Sequence, residues 1–319
     1  MLARVTSVGK YPAVLEIPSG RERPLWAGDV LIGVLANRFS STSLYGRIPE
    51  GGLEVRVDRA TDLLSLAGVI GPAQARPSAL ASHTEVRLLG LVADARKPAQ
   101  PLGLLPKSPQ HYRSCPTIVI GGTASNVGKT TFAGNLVRHL VRRAGLRVGV
   151  TKLAGTGRLG DLLQLSDAGA HASADFVDAG LATTYGLPDE TVTTAAKYLL
   201  TRLREQESQV IVAELGGDLW EAGIPALLDD PELQESFRCL VVIPSDTMAT
   251  LGAAHWLRQR GIECPVFHGM PPRNELASMD RLTAGLGEKP VDARSAHDMG
   301  VLLGKALPDL RFPALPDHE

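Results

Sequence analysis

The stretch IVIGGTASNVGKTT at residues 118–131 decides the fold, because a short apolar run leads through glycines to Lys129 and two threonines. The apolar run predicts a buried strand, and the amphipathic segment that follows predicts a helix. In the order strand, loop, helix, the backbone N–H groups of the loop and the positive end of the helix dipole face an anion. Lys129 would neutralise the outer phosphates, and Thr130 would offer its hydroxyl to Mg²⁺. The stretch therefore predicts a phosphate-binding loop.

The spacing of this loop differs from that of the common motif GxxxxGK[ST]. Five residues, rather than four, separate Gly122 from Gly128. We expect the loop to bind ATP, with GTP as an alternative, together with Mg²⁺. The residues expected to hold the nucleotide are Gly122, Thr123, Ala124, Ser125, Asn126, Val127, Gly128, Lys129, Thr130 and Thr131.

Strands and helices alternate along the rest of the chain. The apolar runs that predict strands are TIVIGG, LRVGVTK, QVIVAELGG, RCLVVIPSD, CPVFHGM and KPVDA, and amphipathic helices separate most of them. Near-continuous apolar strands of this kind are typical of a parallel sheet that is covered on both faces. The predicted fold class is therefore α/β, with a doubly wound C-terminal domain of the P-loop NTPase type. Ligands of such domains bind at the carboxyl ends of the strands.

Five prolines between residues 95 and 116 interrupt both helical and strand periodicity and mark a domain boundary. We divide the chain into a small N-terminal domain at 1–105, a linker at 106–116 and a nucleotide-binding domain at 117–319. In the small domain, three runs predict strands, namely DVLIGVLA (29–36), LEVRV (53–57) and EVRLLGLVA (85–93). DRATDLLSLAG (58–68) predicts a helix. The N-terminal domain is thus expected to be β-rich or α/β.

The composition excludes several classes of protein. The 319 residues carry a net charge of −1, and their lysines and arginines are spread along the chain, so no basic surface for nucleic acid is expected. No apolar run reaches the roughly 20 residues of a membrane helix, and the first residues lack the apolar core of a signal peptide. We expect a cytoplasmic homodimer that binds a small carboxylate or amino acid, with no nucleic-acid or membrane partner.

The loop GTxSxVGKT resembles that of dethiobiotin synthetase and cobyrinic acid a,c-diamide synthase, and later segments extend the likeness over residues 115–270. VTKLAGTG resembles the second strand of these P-loop enzymes, which implies that Lys152 faces substrate and phosphate. VAELGGDL resembles their segment with a Mg²⁺-binding glutamate, which implies that role for Glu214. Asp161, in GRLGDLL, matches the aspartate that completes their metal site. The catalytic candidates are then Lys129, Lys152 and Asp161, and the metal ligands Thr130, Asp161 and Glu214.

Further segments resemble a less understood P-loop family that includes proteins assigned to D-glutamate N-acylation. They are TGxxxD at residues 156–161, SDAGAHASADFVDAGLATTYGLP at 166–188 and SDTMATLGA at 245–253. The chain has no room for the glutamine-hydrolysing domain of the cobyrinic acid enzymes, so glutamine is not expected to donate an amide. The base-contacting asparagine expected after CPVFHGM is absent, and Asn274 is the nearest. The choice between ATP and GTP therefore stays open.

Polar side chains in three other places could hold a small substrate. His171 and Asp175 lie four residues apart, which would place both on one face of a helix. A hydroxyl-rich turn follows, and the loop at 36–49 places two arginines beside hydroxyls, a combination suited to a carboxylate or phosphate. The alternatives are a solvated helix surface, a capped loop and a hairpin surface. The candidate substrate residues are Asp175, Asp178, Thr183, Thr184, Tyr185, Arg38 and Arg47.

The leading hypothesis for the function is a ligase that depends on ATP and Mg²⁺. It would phosphorylate a small carboxylate to an acyl phosphate, which an amine then captures as an amide. Two alternatives stay open. One is an acyltransferase that acts on an amino acid and whose P-loop binds an acyl-CoA or nucleotide. The other is a regulatory NTPase or cofactor-delivery protein.

Overall fold

The computed structural model describes residues 1–270 and 275–309. Residues 1–106 contain short strands that are joined by turns and irregular segments. They are β1 (Leu2–Ser7), β2 (Val14–Glu16), β3 (Glu22–Pro24), β4 (Val30–Ile32), β5 (Val34–Leu35), β6 (Tyr45–Gly46), β7 (Ala60–Leu63), β8 (Val69–Gly71), β9 (Ala73–Ala75), β10 (Glu85–Gly90), β11 (Ala93–Asp94) and β12 (Lys97–Pro101). Six of them form a sheet in the order β4-β1-β10-β7-β8-β5, where the pair β5–β8 is parallel and the other pairs are antiparallel. The other six strands form two-stranded sheets.

The helix predicted at 58–68 is wrong, and residues 53–57 do not form the predicted strand. Residues 60–63 form β7, which pairs with β10 so that Thr61 lies opposite Val86. Leu63 and Leu64 are both fully buried but belong to two different apolar clusters. A strand can bury successive side chains on opposite sides, so tertiary packing overrides the helical pattern here. The backbone of residues 1–106, described throughout, contains strands and turns but no α-helix, and the β-rich expectation is confirmed.

Two segments from later in the chain belong to this N-terminal unit. The unit consists of Met1–Pro106, Thr156–Gly160 and Gly180–Gly186. Thr156 forms a β-bridge with Thr183, and Asn37 Nδ2 donates a hydrogen bond to the carbonyl of Tyr185 at 3.2 Å. The boundary predicted at 106–116 did not anticipate these two segments.

Among the described residues, the C-terminal unit contains the remaining strands and the helices, except for the first two residues of α2. The strands are β13 (Thr117–Gly122), β14 (Val148–Ala154), β15 (Ala172–Asp175), β16 (Val210–Leu215), β17 (Phe237–Ile243) and β18 (Val266–His268). The helices are α1 (Lys129–Ala144), α2 (Leu159–Asp167), α3 (Asp189–Glu205), α4 (Ile224–Asp229), α5 (Pro231–Ser236), α6 (Thr247–Gln259), α7 (Glu275–Leu286) and α8 (Ala296–Ala306). Helix α2 begins in a segment of the N-terminal unit and continues in this one.

The six strands of the C-terminal unit form one parallel sheet in the order β15-β14-β16-β13-β17-β18. Helices α1 and α8 share an apolar cluster with one face of the strands, to which Ile118, Ile120 and Val212 contribute. Helices α3 and α6 contact the sheet without contributing to that cluster. This doubly wound sheet, with a glycine-containing loop and a helix after its central strand, has the architecture of a P-loop NTPase domain, as the sequence predicts.

Two local predictions in this unit are wrong. The segment around His171 and Asp175 is not a helix, because Ala172–Asp175 forms the edge strand β15 and pairs with β14. His171 Nε2 instead lies 3.0 Å from the carbonyl of Gln206. KPVDA forms a single bridge, from Val291 to Gly269, in place of a strand.

In the described ranges, no helix has the length and apolar character needed to cross a lipid bilayer.

Candidate functional site

The loop between β13 and α1 is built for close packing around its glycines. A Cβ atom on Gly122 would lie 2.8 Å from Val127 Cγ2 and 3.1 Å from the carbonyl oxygen of Ile243. Gly128, with a φ of 101°, adopts the left-handed conformation that favours glycine. Helix α1 starts directly behind it, with no side-chain cap and no acidic residue in its first turn. A helix start of this kind can bind an anion through its backbone N–H groups.

Lys129 links this loop to the loop that follows β16. Its Nζ donates hydrogen bonds to the carbonyl oxygens of Ala124 at 2.8 Å and Gly217 at 2.7 Å. The residue is only 6% exposed, and this burial lowers the pKa of Lys129 to about 8, although the carboxylate of Glu214 opposes the shift. The ammonium is therefore held beside the loop in a place where it is poorly solvated.

Three ionisable residues lie in one row across the parallel sheet. Lys152 in β14 lies opposite Asp175 in β15 on one side and opposite Glu214 in β16 on the other. Glu214 lies opposite Ile120 in β13, the strand that leads into the loop. All three ionisable residues are buried, with exposures of 8% or less. Residues in one row of a parallel sheet share a face, so the register brings these charges together.

Asp161 neutralises Lys152 directly. The Nζ of Lys152 lies 2.6 Å from Oδ2 of Asp161, which stands in the first turn of α2. Burial by itself lowers the pKa of Lys152, but the carboxylates of Asp161 and Glu214 outweigh it and hold that pKa above its usual value. Lys152 is thus a buried and charged ammonium at neutral pH.

Glu214 and Thr130 offer the oxygen atoms that a Mg²⁺ ion requires. Glu214 is 4% exposed, and its Oε2 has no hydrogen-bond partner among the described residues. Burial raises the pKa of this carboxyl, while Lys152, Lys129 and a hydrogen bond with Thr130 act in the opposite direction. A carboxylate next to a threonine hydroxyl is a ligand set that suits Mg²⁺ with phosphate oxygens. These two residues therefore fit the metal expected from the sequence.

The described residues contain no cluster of three or more His, Cys, Asp or Glu side chains that could hold a metal ion by themselves. A Mg²⁺ ion at Thr130 and Glu214 would complete its coordination with water or with oxygen atoms of a bound ligand. The carboxylate of Asp161 is the ion-pair partner of Lys152, and it lies near enough to Glu214 to raise its pKa. The metal role of Asp161 stays a prediction.

Asp175 and Asp178 form a tight turn after β15. Asp175 Oδ1 accepts a hydrogen bond from the backbone N–H of Val177, and Asp178 Oδ2 accepts one from the N–H of Asp175. Burial raises the pKa of Asp175 to about 6, with a smaller contribution from Asp178 and an opposing one from Lys152. Asp175 thus belongs to the row that contains Lys152 and Glu214, whereas Asp178 supports the backbone of Asp175.

The remaining predicted substrate residues belong to the N-terminal unit. Thr183, Thr184 and Tyr185 are buried, and Thr183 Oγ1 accepts a hydrogen bond from the N–H of Tyr185 at 3.2 Å. Arg38 forms a bridge across a hairpin with Gly46 and donates to Ser43 Oγ at 2.8 Å, while exposed Arg47 lies 3.5 Å from Glu50. These contacts are those of a capped turn and of a hairpin, and the substrate role of the residues stays a prediction.

Sequence reasoning missed three groups around the loop. Thr123 Oγ1 accepts a hydrogen bond from the N–H of Ser245 at 2.8 Å. Asp218 is close enough to Lys129 to raise its pKa, and the carbonyl of Gly217 binds the same lysine. Ser245, Asp218 and Gly217 all follow the carboxyl ends of β16 or β17, which is the signal that could have identified them. Asn274, considered as a base-contacting residue, lies outside the described residues.

The turn after β16 leaves no room for a side chain at Gly216. A Cβ atom there would lie 2.4 Å from the carbonyl oxygen of Ala154 and 2.7 Å from Cε of Lys152. Gly216→Ala should therefore push the turn after β16 away from the end of β14 and destabilise the protein by about 1–3 kcal/mol. Urea denaturation measures the effect.

Gly252 provides the matched control for this substitution. It is exposed on α6, and a Cβ atom there would meet no atom within 4 Å. Gly252→Ala should stabilise the protein by about 0.5–1 kcal/mol because alanine is the better helix former. Equal effects of the two substitutions would mean that the close approach at Gly216 is not a constraint.

The comparisons with known proteins give no family for this chain. No protein-family model matches it, and no curated protein matches it. The signal recognition particle receptor FtsY from Elizabethkingia anophelis is 15% identical, with 50% of this chain and 51% of that chain aligned and a TM-score of 0.33. The 54 kDa signal recognition particle protein from Aeropyrum pernix K1, solved in complex with GDP, is 18% identical over 61% and 49%, with a TM-score of 0.39. A DUF1611 family protein from Anabaena variabilis ATCC 29413 is 16% identical over 63% and 62%, with a TM-score of 0.40.

The alignments span about half the length of the first two structures. None of the three is a dethiobiotin synthetase or a cobyrinic acid a,c-diamide synthase. At such low identities and TM-scores, the function of this chain has to be derived from its own residues.

Proposed function

We propose that the C-terminal unit binds a nucleoside triphosphate with Mg²⁺ and transfers its terminal phosphoryl group to a small carboxylate. The observation that carries this proposal is Lys152. Lys152 in β14 lies in the same row as Glu214 in β16, and β16 is the neighbour of β13, the strand that leads into the phosphate-binding loop. Lys129 already supplies the cation that the phosphates need, so a second cation suits an anionic acceptor.

The reaction needs few groups from the protein. A carboxylate oxygen of the acceptor attacks the γ-phosphorus, the bond from that phosphorus to the bridging oxygen breaks, and the nucleoside diphosphate leaves with the electron pair. An amine then attacks the carbonyl carbon of the acyl phosphate, loses a proton to solvent and expels phosphate, which leaves an amide. Lys152 would orient the acceptor carboxylate and balance the charge on the transferred group, while Lys129 would hold the outer phosphates.

Mg²⁺ bound by Thr130 and Glu214 would supply charge neutralisation for the phosphate oxygens. The chain itself positions the reactants. The register between β14 and β16 fixes the spacing of Lys152 and Glu214, and the salt bridge to Asp161 fixes the position of the Lys152 side chain. Preorganised charges of this kind need no rearrangement during the transfer.

The experiment is a phosphate-release assay with ATP or GTP, Mg²⁺ and a panel of amino acids and dicarboxylic acids, each with and without an amine. The proposal expects release that depends on one acid and an amide product that contains both partners. Release without any acid would favour the regulatory NTPase. Acyl transfer from an acyl-CoA without nucleotide would favour the acyltransferase and overturn the proposal.

Glu214→Gln should separate metal binding from phosphate binding. The substitution removes a charged oxygen that suits a hard cation but leaves Lys129 in place, so ATP affinity should fall about tenfold in Mg²⁺ and change little in EDTA. Isothermal titration calorimetry of ATP, GTP and CoA in both buffers measures this. Normal affinity of the variant in Mg²⁺ would exclude Glu214 as the metal ligand.

A further inference from the structure

The first turn of α2 is capped by a carboxylate from far away in the sequence. The backbone N–H of Leu159 donates to Glu16 Oε2 at 2.7 Å, and the N–H of Gly160 donates to Glu16 Oε1 at 2.8 Å. Glu16 ends strand β2, and these three residues all belong to the N-terminal unit. Both oxygens of one carboxylate thus satisfy two of the N–H groups that a helix start leaves without a partner, where negative charge is favoured.

The residue that follows this cap is Asp161, the partner of Lys152. Asp161 is joined directly to Gly160, so the two hydrogen bonds to Glu16 fix the backbone from which the Asp161 side chain extends. A contact of 2.6 Å between Lys152 Nζ and Asp161 Oδ2 leaves little freedom in that backbone. Fraying of the first helical turn would move Asp161 away from the ammonium.

We propose that Glu16 is a positioning residue for the candidate site, because it holds the start of α2 and thereby the salt bridge between Asp161 and Lys152. The effect of Glu16 on turnover rests on the proposed function, because Lys152 acts on a substrate only in the proposed phosphoryl transfer. Its effect on the accessibility of Lys152 does not depend on any ligand.

The test is chemical labelling of Lys152 by an amine-reactive acetylating reagent, followed by peptide mass spectrometry. In the wild-type protein the residue is buried and paired, so labelling should be slow. Glu16→Gln removes the charge and one of the two hydrogen bonds, because the amide nitrogen of glutamine cannot accept from a backbone N–H. Labelling of Lys152 should therefore accelerate by about tenfold. If a substrate-dependent turnover exists, kcat should fall while the Kd for nucleotide stays within about twofold of the wild-type value.

Glu22→Gln is the matched control. Glu22, in the neighbouring strand β3, forms an exposed ion pair at 2.8 Å with the side chain of Arg158, next to the same helix start, but does not cap it. Its removal should leave the labelling rate of Lys152 within about twofold of wild type. Asp161→Asn is the positive control, because it weakens the salt bridge itself and should accelerate labelling.

Hydrogen exchange of the amides of Leu159 and Gly160 reports whether the cap is lost. Loss of their protection in Glu16→Gln without faster labelling of Lys152 would overturn the proposal. Should the variant unfold, the wild-type protein still decides the matter. In the wild-type protein, the fraction of time that the cap is open can be derived from the exchange of the Leu159 and Gly160 amides and, separately, from the labelling rate of Lys152, and the two values should agree. Frequent exchange of these amides without labelling of Lys152 would contradict the proposal. Failure to find any turnover leaves both readouts intact.

Discussion

Replacing Lys129 with alanine should abolish the binding of ATP and GTP, with a loss of affinity of about a hundredfold or more, both in Mg²⁺ and in EDTA. The ammonium is buried next to the loop and already binds two backbone carbonyls, so its removal deletes a direct charge contact and leaves those carbonyls without a donor. Isothermal titration calorimetry of each nucleotide measures the loss.

The control for this variant is Lys197→Ala. Lys197 lies on α3, where it forms ion pairs with Asp230 and Glu232, and its loss should leave nucleotide affinity unchanged.

The pH dependence of nucleotide binding gives a second check. Because the pKa of Lys129 is about 8, its charge is lost above that pH, and wild-type affinity should fall as the pH rises through about 8. Affinity of Lys129→Ala within about threefold of wild type would contradict the phosphate-binding role.

Lys152→Ala should leave nucleotide affinity within a few fold of wild type and reduce turnover by about two orders of magnitude. The residue lies beside the metal candidate Glu214 and not in the phosphate-binding loop, so its charge is expected to matter for the acceptor and for the charge on the transferred group. Nucleotide titration together with the phosphate-release assay separates the two quantities.

Removal of Lys152 alone also takes away the ammonium that Asp161 contacts at 2.6 Å. The double variant Lys152→Ala, Asp161→Ala removes both charges and therefore distinguishes lost catalysis from the cost of breaking the ion pair. If turnover recovers in the double variant, Lys152 serves only to neutralise Asp161. Unchanged turnover in the single variant would remove Lys152 from the mechanism and weaken the resemblance to dethiobiotin synthetase.

The site could be predicted from the sequence to the extent that it follows buried parallel strands. Runs such as IVIGG and VIVAEL are apolar because both faces of their sheet are covered, so the residue at which each run ends marks the sheet edge. Lys129, Lys152 and Glu214 were identified in this way or through family resemblance. The register could not be predicted, since any shift between β14 and β16 keeps the same apolar pattern.

Other features depend on contacts between distant parts of the chain. The strand β7 reads as a helix because its apolar residues repeat at helical spacing, and only its pairing with β10 and the separate burial of Leu63 and Leu64 make it extended. The hydrogen bond from Lys129 to Gly217 joins residues 88 positions apart, and the bonds from α2 to Glu16 span more than 140 positions. No local pattern encodes such pairs.

The discontinuous make-up of the N-terminal unit sets the order in which the protein can mature during synthesis. Residues 1–106 leave the ribosome first, but Asn37 finds its hydrogen-bond partner at Tyr185, 148 positions later, and Phe39 finds the ring of the same tyrosine. The nascent unit therefore stays incomplete while the first three strands of the second sheet, β13, β14 and β15, are being made. Closure over such a long loop is slow, and it leaves apolar side chains open to aggregation in the meantime. An isolated fragment that ends at residue 106 never receives these partners and would remain in that incomplete state.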